Sequence, residues 1–271
     1  MASPNQPADS NDPAINRLRG KTVLVTRPAG QTESVRDQLE QLGAKVVLHP
    51  AIEIRPMADS SELDACLRAL QQTEEFGWVV FVSGNGVTHV ASRLEHLGIS
   101  IDVLASRSIA AIGTSTLTQL KSLGVDHVIS PEISNSESLA ALLIKQVGRR
   151  ALIFRANRGS EELGKRLQSA GVDFEEVVAY RSVDVETADP GVLEMIAQGK
   201  IDWVTITSSA IANSTIKLFS TAISQSGEKT KTVSISPRTS QAMRDLGFEP
   251  DAEANQFNMQ GIIAAMQIRS Y

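Results

Sequence analysis

The chain has 271 residues, 42% of them hydrophobic and 21% charged, with a formal net charge of -5. This composition excludes a disordered or fibrous chain, supplies enough apolar material for two cores of ordinary size, and lacks the general basic excess that a nucleic-acid partner would require. A lone cysteine, Cys66, rules out an internal disulfide and suits a reducing compartment, and no uninterrupted apolar stretch approaches the length of a membrane span.

The opening residues, MASPNQPADSNDPAINRLRG, carry three prolines and no apolar run, so residues 1–19 are expected to form a loose tail, with no secretory signal and a cytoplasmic location. Thr22–Thr26 reads as the first strand. The helix after it starts near Thr32, shows Val35, Leu39 and Leu42 on one face, and stops at Gly43. Val46–Leu48 is a second strand, and residues 51–55 continue extended to Pro56. A linker, 56–61, leads to a helix through Leu63, Leu67 and Leu70. The run WVVFVSGNGV from Trp78 is then an apolar strand with small polar residues at its carboxyl end, where ligands of open α/β sheets bind. A helix over Gly86–Leu97, a strand over Ile109–Ile112, a helix ending at Gly124, a short strand at Val128–Ser130 and a helix from Ser136 follow.

From here the chain repeats itself. KTVLVTRPAGQTESVRDQLEQLGAKVVL, from Lys21, aligns without a gap with RRALIFRANRGSEELGKRLQSAGVDFEE, from Arg149, so that Arg27 falls on Arg155, Leu39 on Leu167 and Gly43 on Gly171. WVVFVSGNGV returns as WVTITSSAIA from Trp203, and IAAIGTSTLTQLKSLG as TVSISPRTSQAMRDLG from Thr232. The extended segment 177–183 takes the place of 49–55, with Tyr180 where Ile52 stands. A second linker follows at 184–191, then helices through Val192, over Ile211–Phe219, up to Gly247 and through Ile262, with the strand Val233–Ile235 among them. Two copies of this size suit a pair of α/β domains, each a doubly wound parallel sheet.

Five stretches in this order, VLVTRP (Val23–Pro28), FVSGNGV (Phe81–Val87), AAIGTST (Ala110–Thr116), VVAYRSV (Val177–Val183) and ISPRTSQAM (Ile235–Met243), resemble uroporphyrinogen-III synthase over nearly all of the chain beyond its tail. The resemblance implies two flavodoxin-like doubly wound domains joined by a two-stranded ladder. Residues 20–50 and 185–271 would then make a discontinuous first domain and 57–177 the second, with 51–56 and 178–184 as crossing strands. A purely sequential reading of the repeats does not lead to that exchange. The implied reaction is the cyclisation of hydroxymethylbilane to uroporphyrinogen III by a monomer, with ring D inverted, water lost and no cofactor or metal. Transient contact with the preceding pathway enzyme, and no nucleic acid or membrane partner, complete the expectation.

That substrate carries eight carboxylates, and helix N-termini at strand ends offer N–H and hydroxyl donors without altering net charge. By resemblance, Tyr180 on the second crossing strand assists departure of the hydroxyl; read alone, it is a packing residue of the ladder. Thr116 and Thr239 resemble family residues that face the substrate, with helix capping as their other role. Ser83 and Ser208 have the same two readings, with Asn85 and Ser209 beside them as binding candidates. Arg27 and Arg155 end equivalent strands and suit substrate carboxylates, with a solvated or interdomain salt-bridge role as the other reading. The chain departs from the family pattern at Asn85, Ser160 and Ser236, where Arg, a basic residue and Gly are usual. His49, His89, His96 and His127 show no ligand spacing among themselves or with Cys66, and Gly84 and Gly86 fit a tight turn better than a nucleotide loop. The competing reading is a two-domain cytoplasmic binding or regulatory protein for a small anion, which would have no use for Tyr180.

Overall fold

The computed structural model describes residues 17–146, 148 and 150–269. Along the chain run β1 (Thr22–Val25), α1 (Glu33–Gln41), β2 (Lys45–Leu48), β3 (Ile52–Pro56), α2 (Ser61–Gln72), β4 (Phe76–Phe81) and α3 (Gly84–Leu97). Next come α4 (Asp102–Ala105), β5 (Ser108–Ala111), α5 (Thr114–Ser122), β6 (Val128–Ile129), α6 (Ser136–Gln146), β7 (Arg150–Ala156) and α7 (Glu162–Ser169). The remainder is β8 (Phe174–Asp184), α8 (Pro190–Ala197), β9 (Trp203–Ile206), α9 (Ser209–Gln225), β10 (Lys231–Ser234), α10 (Pro237–Arg244), β11 (Ala252–Glu253) and α11 (Met259–Arg269). The one-turn α4 and the two-residue β11 carry too little periodicity to be read from sequence.

The chain divides into two units, one made of residues up to Glu53 together with those from Val183, the other of Ile54–Ser182. In unit 1 the strand order is β11-β10-β9-β1-β2, all neighbours parallel. Counted within the unit this is the 2-1-3-4-5 order of flavodoxin-like sheets. In unit 2 the order is β3-β8-β7-β4-β5-β6, and β7 and β8 stand to β4 as β1 and β2 stand to β9. Each Trp strand therefore lies beside the opening βαβ strand of the other copy, and the sequential pairing of repeats is replaced by an exchange.

Both sheets are covered on both faces, which is why their central strands are apolar without alternation. In unit 2, Val79, Phe81, Leu152 and Phe154 pack with Leu67 and Val90 on one face, while Trp78, Val80 and Ile153 pack with Leu139 and Leu167 on the other. In unit 1, Val23, Val25 and Trp203 meet Leu39 and Ile262, and Leu24 and Val204 meet Ile196 and Phe219. The repeat-equivalent Leu39 and Leu167 thus occupy equivalent places in different units.

One reading of the sequence is corrected. Residues up to 16 lie outside the described part, but the tail expected through residue 19 is not loose at its end: Leu18 is 0% exposed in the unit 1 core, and Arg17 donates to the Gln267 carbonyl at 3.4 Å. An apolar side chain among polar neighbours is enough to anchor a terminus that composition marks as loose. In addition, the extended segment of the second copy is continuous with the strand before it as the long β8, whereas in the first copy His49-Pro50 separates β2 from β3. Pro50 has no N–H for a ladder, and the chain bends there. Among the described residues, no helix is long and apolar enough to cross a membrane.

Candidate active site

At the carboxyl end of unit 2's sheet, polar groups surround the candidate Tyr180. β4 ends at Phe81, and two residues on, Ser83 caps α3 by accepting the Gly86 N–H at 3.2 Å. The same Ser83 Oγ lies 3.0 Å from Tyr180 Oη, which β8 delivers from two strands away. Tyr180 is 6% exposed, its ring in the core face shared with Phe81 and Phe154. The backbone around it is fixed, because Asn157 N–H donates to the Tyr180 carbonyl at 3.1 Å and the Ser182 N–H to Asn157 Oδ1 at 2.8 Å. The Tyr180 hydroxyl thus meets the residue that caps the N-terminus of α3.

Gly84 and Gly86 lie in the first turn of α3, which begins two residues earlier than expected, and not in a separate tight turn. A Cβ at Gly84 would sit 2.6 Å from Gln119 Oε1 of α5, the end of a flexible side chain that could move aside. Asn85 is half-buried in the same turn, and its carbonyl is 2.9 Å from His89 Nδ1.

Thr116 and Thr239 are the third residues of α5 and α10, and neither is a cap. Capping falls to Gly113 and Ser236 instead. At φ 88° Gly113 occupies a region that disfavours a side chain, whereas Ser236, in extended backbone, accepts the Thr239 N–H at 3.3 Å. The departure from Gly at 236 therefore adds a cap. Both threonines are 2% exposed, and Thr239 Oγ1 is 3.1 Å from Ser236 Oγ, so the hydroxyl and N–H of Thr239 are both engaged within α10's first turn.

In unit 1, Ser208 caps α9 by accepting the Ile211 N–H at 3.2 Å, and Ser209, half-buried, begins that helix. Arg27 follows β1, donates to Gln31 Oε1 at 3.0 Å, and burial draws its pKa below the ordinary arginine value. Its equivalent in unit 2, Arg155, pairs with Glu176 of the neighbouring β8 at 2.6 Å. The Arg155 pair lies within unit 2, so it is not the interdomain salt bridge considered for this arginine.

Sequence reasoning missed His89, whose imidazole stacks on the Tyr180 ring, and Arg158, which donates to Ser182 Oγ at 3.3 Å. Only the 3.6-residue period of α3, which places position 89 near the cap, could have pointed to the first. Cys66, on α2, is 5% exposed and donates to Glu175 Oε1 at 3.2 Å; burial, then the Glu175 contact, push its pKa up to about 12. Its thiol is therefore expected to react with iodoacetamide at pH 8 at least about tenfold more slowly in the native protein than in urea, as followed by mass spectrometry. Equal rates would place Cys66 in solvent.

A family model described as uroporphyrinogen-III synthase HemD matches residues 33–264. The uroporphyrinogen-III synthase of Synechococcus elongatus is 29% identical over 256 residues, 92% of this chain and 96% of that relative. The porphyrin biosynthesis protein HemD of Ruminiclostridium josui is 30% identical over 195 residues, 71% of this chain, and the match spans 38% of that longer relative. Among solved structures, a mutant uroporphyrinogen III synthase from the extremely thermophilic bacterium Thermus thermophilus is similar with a TM-score of 0.61 at 19% identity, over 92% of this chain and 100% of that one. Uroporphyrinogen-III synthetase from Helicobacter pylori gives 0.59 at 17% identity with the same coverage. These two likenesses concern the fold, and the match of the family model over most of the chain settles kinship: the chain belongs to the uroporphyrinogen-III synthase family.

Proposed function

We propose that the chain cyclises hydroxymethylbilane to uroporphyrinogen III, with Tyr180 as proton donor to the departing hydroxyl. Beside family membership, the observation that carries this reading is the 3.0 Å contact between Tyr180 Oη and Ser83 Oγ at the N-terminus of α3. Ser83 Oγ already accepts the Gly86 N–H, so its own O–H can donate to Tyr180 Oη, leaving the phenolic proton for the substrate. As the carbon–oxygen bond breaks, that proton goes to the leaving hydroxyl and water departs. The azafulvene is attacked by the last pyrrole, a spiro intermediate inverts that ring, and closure releases a proton that restores the phenol. Negative charge on Tyr180 is transient and is held by the Ser83 hydroxyl and the helix end.

Asn85, Thr116 and Arg155 in unit 2, and Arg27, Ser208, Ser209 and Thr239 in unit 1, are proposed carboxylate contacts. For Arg155 this means exchanging Glu176 for a substrate carboxylate; for the buried threonines it means a small opening of the first helical turn. The reading includes a monomer acting in the cytoplasm, without metal or organic cofactor, that takes its substrate in transient contact with the enzyme that makes it. The competing anion-binding protein leaves the paired Ser83 and Tyr180 hydroxyls without a purpose. Incubation with enzymatically generated hydroxymethylbilane, oxidation and separation of the porphyrin isomers tests the proposal. The type III isomer is expected, with equal yield after exhaustive chelation; only the type I isomer formed without enzyme would refute it.

A further inference from the structure

We propose that His89 is a positioning residue for the Tyr180 phenol, an inference that rests on Tyr180 as proton donor. His89 lies in the second turn of α3, half-buried. Its Nδ1 is 2.9 Å from the Asn85 carbonyl, and a carbonyl only accepts, so Nδ1 carries the hydrogen and the imidazole is tied to its own helix one turn back. So oriented, the ring stacks on Tyr180, with centroids 5.2 Å apart and planes 27° apart.

Ser83 caps the same helix and meets the phenolic hydroxyl. One rigid element therefore holds Tyr180 twice, by its hydroxyl through Ser83 and by its ring face through His89. The two grips have different consequences. The Ser83 contact sets the polarity of the hydroxyl, while the flat imidazole opposes the χ1 and χ2 rotations that would swing or tilt the phenol. A proton donor must be in place before the carbon–oxygen bond breaks, and small misplacements of a reacting group are costly in rate. No contact of His89 with substrate is needed: it acts through Tyr180.

The worth of an aromatic stack converts to about a two- to tenfold loss of kcat for His89→Ala, with KM within about twofold of wild type. His89→Phe keeps a stacking ring and should recover most of that loss, whereas His89→Leu fills space without stacking and should not. In a Tyr180→Phe background, where the hydroxyl to be positioned is gone, His89→Ala should cost nothing further. Type III formation is measured for all variants at matched circular dichroism and melting temperature. Wild-type kcat in His89→Ala, equal activity of the Leu and Phe variants, or an undiminished further loss in the Tyr180→Phe background would each overturn the proposal. Should Tyr180→Phe alone turn over like wild type, the proton-donor reading fails and takes the role of His89 with it. That failure is seen in the single Tyr180 variant, before any His89 variant is compared.

Discussion

Tyr180→Phe is expected to slow formation of the type III isomer about ten- to a thousandfold while moving the melting temperature by only a few degrees. The substitution removes one oxygen. The phenyl ring still fills the core face with Phe81 and Phe154 and still stacks on His89, and Ser83 still caps α3 through the Gly86 N–H. The loss of the Ser83 hydrogen bond costs about 1 kcal/mol of stability. The rate falls more, because the proton that converts hydroxide into water as leaving group no longer has a placed donor. It does not fall to nothing, because donors at the helix ends continue to hold and orient the substrate. Single-turnover measurement with wild type and variant at matched fold is the check. A well-folded variant with wild-type turnover would return Tyr180 to a packing role.

The second large effect concerns stability. Trp203→Ala should lower the unfolding free energy by about 3–5 kcal/mol, a large share of the roughly 5–15 kcal/mol typical of a domain. Trp203 opens β9, which lies between β10 and β1 in the middle of unit 1's sheet. At 1% exposure it packs among Val23, Leu39 and Ile262, with the Lys231 ammonium 5.7 Å from its ring centroid. Alanine leaves a cavity bounded by two strands and two helices that cannot all close on it, whereas Trp203→Phe keeps most of the volume and should cost less than half as much. The chain has two tryptophans, so in either variant the remaining fluorescence reports Trp78 in unit 2, and circular dichroism follows the whole. Urea titrations by both probes measure the effect, and a shift below about 1 kcal/mol for Trp203→Ala would mean the site relaxes far more than its strand-locked surroundings suggest.

Much of this protein was determined by local sequence. Apolar runs such as WVVFV mark strands buried on two faces, Leu39 and Leu167 mark the inner sides of their helices, and the alignment of the two copies gives the number and order of most elements, because these follow from residue spacing within a few turns. The family resemblance lies in the same local stretches. The partners of each strand are a different matter. A strand apolar on both faces carries no mark of which neighbour it takes, so nothing in Val23–Val25 or Trp203–Ile206 says that they pair; linker paths and two-sided packing decide, and they place β1 beside β9 and β7 beside β4. Caps show the same limit on a smaller scale. Thr116 and Thr239 look like capping residues in sequence, yet the φ of 88° at Gly113 and the extended backbone at Ser236 move the caps three residues earlier. The meeting of Ser83, His89 and Tyr180 is wholly tertiary. Ser83 and His89 ride on one helix and Tyr180 on a strand almost a hundred positions later, and only the lateral order of the sheet, which no local period encodes, brings the phenol to that helix end.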